Sequence, residues 1–545
     1  MPTITIDKND LMRLIGKKVD DDTLMEKIPM MGTELESFGE EMVVEVFPDR
    51  PDMLSVEGFA LALQGFLGIK TGLYDLEVNE SQYIASIDGK VKKVRPDAVC
   101  AVVKDVELND AAIRSLMQVQ EKLHLTHGRN RRRVAIGVHD LDKIDFPVHY
   151  TTMPKDYEFI PLECNEEMTL EEILQKHKKG VEYKHLLEKY EEYPIWIDSK
   201  EQVLSMPPII NSEYTKVTES TKSLFIDITG YGLKYLKQAL NILIMSLSIR
   251  NGKIYSVKVK DVDGEYTYPD IIPKKMEIDV NYTNRILGIN LSLEEIVNFL
   301  KRMRYGIEGR NILIPAYRAD IMHKIDIVED VAIAYGFNNF KPEIPNISTI
   351  AEEDPFEKFI RMIRNLMTGF QLMEVKNYIL TNKKDLFEKM DMKEEKIVEM
   401  QNALTVDYNV LRNYLIPGIM RVYSINTHYE YPQNIFEIGE VFRVENDTVR
   451  EETNLCVGIS HEKANFTECK EILNSFFKNL DIKYEIEEKE KKYFIEGRAG
   501  SILIDGNEIG YIGEIHPRVL SKWSVGMPVA VFEINLNRIH ELFRF

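Results

Sequence analysis

The chain has 545 residues, 44% of them hydrophobic, and a formal net charge of −20. That length allows roughly three to five domains, and the acidic balance argues against a surface built throughout for nucleic acid. No apolar run reaches the ~18 residues that a membrane-spanning helix needs, and the first residues lack a secretory-signal pattern. Cys100, Cys164, Cys456 and Cys469 are dispersed without CxxC spacing, which argues against a disulfide framework or a zinc ribbon. We therefore expect a cytoplasmic protein with no membrane contact.

The order of predicted helices and strands indicates an α+β multidomain protein. A short α/β unit comes first, a mixed α+β domain second, and a small domain with a winged-helix-like arrangement of a helix, a β-pair and a second helix third. The last part is a mostly antiparallel sheet with flanking helices. The predicted domains are residues 1–85, 86–268, 270–345 and 350–545.

Several local signals support these elements. Asp7 or Asn9 is placed to cap the first helix, and Ser292 with Glu295 three residues later predicts a capping box. In the last domain we predict a strand over 377–380, and Asp505 followed by glycine indicates a tight hairpin.

Small polar residues lie near the ends of two predicted buried strands of the second domain. The strands cover about 134–138 and 224–228, and the polar positions include Asn211, Asp227 and Thr229. Such positions suit either a pocket or ordinary turns. The segment 129–133, RNRRR, is the clearest basic patch in this acidic chain.

Three smaller features each allow two interpretations. His124 and His127 have the i, i+3 spacing of a metal pair, but no third ligand is nearby in sequence. His139 beside Asp140 resembles half of a catalytic dyad without a nucleophile, and it can equally be structural or line a pocket. The loop 48–52, PDRPD, either places acids at the positive end of the following helix or contacts a partner or RNA.

An acidic helix is predicted within the segment 315–340, PAYRADIMHKIDIVEDVAIAYGFNNF. Asp326, Glu329 and Asp330 have the spacing i, i+3, i+4 and therefore share one helix face, with Asp320 just before the helix. These acids indicate either a surface helix capped by Asp320, with the others near its positive end, or a site for a hard cation and a partner protein.

Four long stretches in this order resemble the β subunits of phenylalanyl-tRNA synthetases of the archaeal and eukaryotic-cytosolic type. They are VVEVFPDRPDMLSVEGFALAL, PPIINSEYTKVTESTKSLFIDITG, the acidic segment above, and the pair NALTVDYNVLRNYLIPG and YIGEIHPRVLSKW. The resemblance covers essentially the whole chain. There is no room for the oligonucleotide-binding insertion of the bacterial members, which places the chain with the shorter type.

The resemblance implies an α2β2 ligase that joins phenylalanine to tRNA(Phe) with ATP and Mg2+. In such enzymes the α subunit carries the synthetic site, and the β subunit carries an editing site and a class II-like fold without synthetic residues. The segment 442–445, FRVE, has the form of an ATP-contacting class II motif, but the strand at 529–534 offers neither the glycine nor the arginine that class II chemistry needs. We therefore expect no residue of this chain to be catalytic in synthesis.

The same resemblance implies that the second domain hydrolyses tRNA carrying tyrosine in error. Small polar residues at strand ends suit such a pocket, and we expect its polar groups to be Ser205, Asn211, Asp227 and Thr229. The arginines of the basic patch are then expected to hold the tRNA 3′ end by neutralising phosphates; they are Arg129, Arg131, Arg132 and Arg133.

At the acidic segment, the resemblance implies a magnesium ion at the contact with the α subunit. The expected ligands are Asp320, Asp326, Glu329 and Asp330. Two alternatives from other functional classes are a tRNA-binding scaffold whose editing pocket has decayed and a free-standing deacylase that needs no α partner.

Overall fold

The computed structural model describes residues 2–542, and the chain divides into two compact units between Ile344 and Pro345. Both units mix helices with sheets, which confirms the α+β multidomain class. Residues 341–354 contain no helix or strand. Within the described residues, no helix is both long and apolar enough to span a bilayer.

The first unit begins with a three-stranded antiparallel sheet in the order β1-β3-β2, packed by three helices. Asp7 caps the first helix by accepting a hydrogen bond from the amide of Asp10, as predicted. The elements are β1 (Thr3–Asp7), α1 (Lys8–Ile15), α2 (Asp21–Met30), β2 (Thr33–Ser37), β3 (Glu41–Val46) and α3 (Val56–Phe66).

A ten-stranded sheet follows, with β15 paired to β14 beside the path β12-β11-β10-β7-β4-β14-β5-β13-β6. Its first strand begins at Val78, so the sheet includes residues from before the predicted boundary at 85 and 86. Two further short strands, β8 and β9, pair with each other. The strands are β4 (Val78–Ile87), β5 (Asp97–Lys104), β6 (Val134–Asp140), β7 (Val148–Pro154), β8 (Glu158–Phe159), β9 (Met168–Thr169), β10 (Glu192–Ile197), β11 (Val203–Met206), β12 (Ile210–Asn211), β13 (Leu224–Gly230), β14 (Lys253–Asp261) and β15 (Gly264–Tyr268).

Helices cover this sheet because their apolar sides bury against its central strands. Every residue of β6 and β13 is buried, and α7 packs against β5 and β13. The helices are α4 (Asp110–Leu125), α5 (Leu170–Lys176), α6 (Lys178–Tyr183) and α7 (Leu233–Ile249).

The last part of the first unit contains one more helix and one more strand than predicted. The missed helix, VNYTNRIL, is rich in residues of modest helix propensity, and it begins at the Asp279 cap and ends at Gly288, whose φ is +70°. The predicted capping box of Ser292 and Glu295 is present. The elements are β16 (Lys274–Glu277), α8 (Val280–Leu287), α9 (Leu293–Arg302), β17 (Gly306–Glu308), β18 (Asn311–Ile314) and α10 (Lys324–Tyr335), with the sheet order β16-β18-β17.

The second unit is a seven-stranded, mostly antiparallel sheet in the order β19-β22-β23-β27-β26-β25-β24. The predicted strand at 377–380 is wrong except at its last residue, because the amide of Asn377 donates to the side-chain carboxylate of Glu437 and not to a backbone carbonyl of a strand. The elements are α11 (Pro355–Gly369), β19 (Met373–Glu374), β20 (Leu380–Thr381), β21 (Val410–Leu411), α12 (Ile416–Ile425), β22 (Gln433–Glu445), β23 (Thr448–Ser460), α13 (Phe466–Asn479), β24 (Glu485–Glu488), β25 (Phe494–Ile504), β26 (Asn507–Ile515), α14 (Pro517–Lys522), β27 (Val529–Asn535) and α15 (Leu536–Leu542).

Candidate functional site

A cavity of about 640 Å3 lies beside strands β6 and β13 of the large sheet. One wall is the face of α4 that carries Ile113, Leu116, Gln120, Glu121 and His124, and the segment from Ser205 to Val217 forms much of another. The volume is in the range of small-molecule sites, and the lining combines apolar side chains with a few polar groups, as is usual for such sites.

Three of the four residues predicted for a pocket line this cavity. Ser205 is 3% exposed, and its hydroxyl has no hydrogen-bond partner among the described residues. Asn211 is half-buried and donates from Nδ2 to the carbonyl of Val138 at 3.2 Å, which ties the short strand β12 to β6. Asp227 projects from the middle of β13 and is 1% exposed.

Thr229 does not line the cavity, although the sequence placed it there. Its hydroxyl accepts a hydrogen bond from Arg95 Nε at 2.8 Å, and its carbonyl accepts a second one from the same guanidinium. Burial lowers the pKa of Arg95 to about 10. Thr229 is therefore a partner of a buried arginine.

The basic segment does not form one surface patch. Arg129, Asn130 and Arg131 all have positive φ, between 51° and 61°, a left-handed run that is unfavourable for residues with a Cβ. Through this turn Arg129 and Arg132 remain exposed while Arg131 is buried. Arg133 lies over the ring of Tyr235, 4.1 Å from its centroid.

Arg131 forms part of the cavity wall. It donates to the carbonyl of Ile209 at 2.8 Å, pairs with Glu121 at 3.1 Å and stacks over the ring of Tyr183. These contacts bury the guanidinium, although its Nε has no hydrogen-bond partner among the described residues. Arg131 is therefore not part of an exposed basic surface, whereas Arg129 and Arg132 are exposed, and the tRNA contacts of all three stay predictions.

The two histidines of the possible metal pair are both engaged elsewhere. His124 Nε2 accepts the backbone N–H of Ile136 at 2.8 Å, and His127 Nε2 lies 2.9 Å from the carbonyl of Tyr235. Burial lowers the pKa of His124 to about 4, so the ring is neutral near pH 7. The α4 face was missed as a cavity wall, although Leu116, Gln120 and His124 have the spacing of one helix stripe.

His139 and Asp140 do not form a dyad. The Asp140 carboxylate accepts from the Thr221 hydroxyl at 2.9 Å and from the amide of Asp142. Adjacent residues of a strand point to opposite faces, so His139 contacts Asp227 on the cavity side instead, at 2.8 Å.

Three of the four acids of the acidic segment make one of two kinds of contact. Asp320 and Asp330 both pair with the buried guanidinium of Arg318, at 2.6 and 2.7 Å, and Asp330 also accepts from the Tyr305 hydroxyl. Asp326 accepts the backbone amides of residues 322 and 323 at 2.7 Å.

The helix cap is His323, whose Nδ1 accepts from the Ile325 amide. The expectation that Asp320 caps α10 is therefore wrong. Asp320 is used for ion pairing because Arg318, two residues earlier, turns its guanidinium inward onto it.

Glu329 is the acid of this segment whose charge is least compensated. Its pKa is raised by burial and by the nearby carboxylate of Asp49, followed by those of α10 itself. Burial likewise raises the pKa of Asp49, which lies in the PDRPD loop. Neither acid forms an ion pair within residues 2–542, and no group of three or more described acids, histidines or cysteines is close enough to hold a metal ion. The donors left for a cation are thus two carboxylates, a set that Mg2+ can use if it keeps several waters.

Aromatic side chains and a buried acid fill one face of the sheet in the second unit. Tyr414, Tyr493 and Tyr511 pack there, and the Glu533 carboxylate on β27 accepts the amides of Leu415 and Ile416. Burial raises the pKa of Glu533.

The FRVE segment is the end of β22, next to a two-residue turn. Asp505 forms the predicted hairpin turn with φ of 50°.

Comparisons with known proteins cover the whole chain. Residues 81–242 match the B3/4 domain, residues 276–337 the tRNA synthetase B5 domain, and residues 341–536 the phenylalanyl tRNA synthetase beta chain CLM domain. The phenylalanine–tRNA ligase β subunits of Pyrococcus abyssi and Pyrococcus furiosus are 43% and 44% identical to the chain, and each alignment covers 99% of this chain and 100% of the relative.

The chain is also similar to a solved structure. It is the N-terminal fragment of the phenylalanyl-tRNA synthetase β subunit from Pyrococcus horikoshii, with 42% identity and a TM-score of 0.60, covering 61% of this chain and 99% of the fragment. Sequence identity over full length and the three domain matches agree, so this chain belongs to the family of phenylalanine–tRNA ligase β subunits.

Proposed function

We propose that this chain is the β subunit of a phenylalanine–tRNA ligase in which an α subunit uses ATP to charge tRNA(Phe) with phenylalanine. In this proposal the present chain binds tRNA(Phe) and hydrolyses Tyr-tRNA(Phe). The observation that carries the editing activity is the 640 Å3 cavity, because it combines room for an aminoacyl group with buried polar groups.

Editing must distinguish tyrosine from phenylalanine, and the two differ by one hydroxyl group. A pocket for the phenylalanine ring cannot strongly reject a ring that only adds a hydroxyl, but a second pocket that hydrogen-bonds the phenol can reject phenylalanine. Leaving a buried polar group without a partner costs about 1–3 kcal/mol, which disfavours the wrong ligand. The unpartnered hydroxyl of Ser205 and the carboxylate of Asp227 supply such groups.

Hydrolysis by the assembled α–β complex tests this assignment. Asn211→Ala and Ser205→Ala are each expected to slow deacylation of Tyr-tRNA(Phe), while charging with phenylalanine stays at the wild-type rate. Ser220→Ala, an exposed serine of the same domain, is the matched control. Undiminished hydrolysis by Asn211→Ala removes that residue from the site.

Two other functions are outcomes of the same experiments. A complex that charges tRNA but never clears Tyr-tRNA(Phe) indicates a scaffold with a decayed pocket. A stable single chain that hydrolyses Tyr-tRNA(Phe) without α indicates a free-standing deacylase.

The exposed arginines are proposed to contact the tRNA. Arg129 and Arg132 lie on the outer side of the left-handed turn whose third residue, Arg131, reaches the cavity wall. A phosphate bound by Arg129 and Arg132 would therefore contact sequence neighbours of Arg131, a residue of the cavity wall. Neutralising phosphates gives affinity without sequence specificity.

The acidic segment is proposed to face the α subunit with a Mg2+ ion in an α2β2 assembly. Of the predicted ligands Asp320, Asp326, Glu329 and Asp330, only Glu329 lacks a charge or backbone partner in the described residues, so it is proposed as the direct ligand. The ion would supply positive charge beside Glu329, whose pKa is raised by burial and by the Asp49 carboxylate. Co-purification with α in a 2:2 ratio tests the assembly. Removal of Mg2+ is expected to weaken association of the wild type, whereas Glu329→Gln is expected to associate weakly whether or not Mg2+ is present. The protein is proposed to be cytoplasmic, with the four domains given above.

A further inference from the structure

Three buried side chains form a hydrogen-bonded row at the edge of the cavity. The hydroxyl of Thr215 lies 2.8 Å from His139 Nδ1, and His139 Nε2 lies 2.8 Å from Asp227 Oδ2. Thr215 and Asp227 line the cavity, whereas His139 is fully buried and does not. The histidine thus connects two cavity groups from behind.

The strand pairing explains how this row fits. Residue 137 of β6 is the Cα partner of Asp227 on β13, and residue 139 is the partner of Phe225. His139 and Asp227 are therefore diagonal neighbours on one face of the sheet, a distance that long side chains span. A Cβ at Gly137 would lie only 2.1 Å from Asp227 Oδ2 and 2.7 Å from His139 Nε2. Glycine at 137 leaves the space through which the two side chains meet.

The hydrogen-bond chemistry assigns a direction to the row. A carboxylate accepts only, so His139 Nε2 carries the proton toward Asp227, and the neutral ring leaves Nδ1 as an acceptor for the Thr215 hydroxyl. Thr215 then donates its proton to the nearer of two acceptors, His139 Nδ1 at 2.8 Å and not the Leu204 carbonyl at 3.4 Å, and its oxygen keeps lone pairs for the cavity. Asp227 presents its second carboxylate oxygen. Both cavity groups are thereby held as hydrogen-bond acceptors. They suit a ligand that brings O–H or N–H donors.

We propose that His139 is a positioning residue of the editing site, which fixes Asp227 and Thr215 as a pair of hydrogen-bond acceptors for a donor of the aminoacyl group or for the attacking water. This proposal rests on the proposed function, since it deepens the role of the same cavity. His139 itself touches no substrate. Its effect depends on its ability to donate at one nitrogen and accept at the other.

The experiment compares two substitutions in the complete α–β complex. In His139→Gln the amide donates and accepts as the neutral ring does, whereas His139→Phe fills the space beside Phe225 but offers neither bond. We expect His139→Phe, which loses both buried hydrogen bonds, to lower the rate of Tyr-tRNA(Phe) deacylation roughly 10- to 100-fold, and His139→Gln to stay within about threefold of wild type. Gly137→Ala displaces the Asp227 carboxylate and is expected to reproduce the loss.

Binding gives a readout that does not need hydrolysis. A non-hydrolysable adenosine carrying tyrosine through a 3′ amide is titrated calorimetrically into wild type and variants, with Ser220→Ala as control. Weaker binding or slower turnover in His139→Phe that His139→Gln restores supports the positioning role. Equal loss in both variants, or loss in neither, overturns it. If wild type binds the analogue without hydrolysing Tyr-tRNA(Phe), the editing function fails while the positioning role is still decided by the titration; if wild type does neither, both are refuted.

Discussion

Acidification is expected to destabilise the first unit through His124. The ring accepts the backbone N–H of Ile136 at Nε2, so its single proton must lie on Nδ1. His124 is 2% exposed. Protonating Nε2 would therefore break a buried hydrogen bond that the ring accepts from the β6 backbone. Burial accordingly lowers the pKa of His124 from 6.5 to about 4.

The sign and size of the effect follow from this shift. In the unfolded chain the imidazole titrates near its ordinary pKa, so below about pH 6.5 the unfolded state binds a proton that the folded state refuses. The stabilisation is fully present above that pH and is lost as pH falls toward about 4. Integrating the proton difference gives a loss of about 2 kcal/mol at pH 5.

Tryptophan fluorescence isolates this contribution. The chain has two tryptophans, and Trp196 is buried against Tyr150 in the first unit, whereas Trp523 lies in the second. In a Trp523→Phe background, urea unfolding followed by the remaining tryptophan reports the first unit. His124→Gln keeps an acceptor for the Ile136 amide but does not titrate.

Between pH 7.5 and 5 the parent should lose about 2 kcal/mol more free energy of unfolding than His124→Gln. His185→Gln, at an exposed histidine, should retain the parental pH dependence. Parallel pH profiles for the parent and His124→Gln would refute the assignment of a neutral, backbone-bonded ring.

Three further results are expected. Arg318→Met leaves two buried carboxylates without their partner and should cost about 3–5 kcal/mol in urea unfolding; an unchanged midpoint would contradict the ion-pair geometry. Gly58→Ala places a Cβ 1.8 Å from a backbone carbonyl and should cost at least about 1–3 kcal/mol, whereas Gly526→Ala, with nothing within 4 Å, should be near neutral. In salt titrations of tRNA binding, Arg132→Ala should lower affinity and reduce the salt slope by about one without changing stability, whereas Arg131→Ala should lower stability; the reverse pattern would show that the inward turn is wrong.

Local sequence signals determined the elements of this fold where each signal acts within a few residues. The Asp7 cap, the Ser292 capping box and the Asp505 turn were predicted and are present, because a cap or a turn closes its hydrogen bonds with neighbours in the chain. The fold class followed from the order of these elements. Helix α8 and the wrongly predicted strand at 377–380 show where such signals fail. Helix α8 has residues of modest helix propensity, and the amide at 377 bonds to a side chain that is distant in sequence.

The family was also readable from long motifs, but the roles of single residues were not. Asp227 and Thr229 lie on the same face of β13 two residues apart, yet one lines the cavity and the other binds Arg95. Arg131 and Arg132 are neighbours, yet one is buried and one exposed.

The acidic segment shows the same division between sequence and tertiary structure. The sequence determined that four acids surround one helix start, and helical spacing determined which of them share a face. Which acids keep their charge for a cation was decided by tertiary contacts, since Arg318 neutralises Asp320 and Asp330 while Asp49, distant in sequence, adds charge beside Glu329. Buried charges pair with whatever the fold brings within reach, and that partner is set by packing across the chain and not by spacing along it.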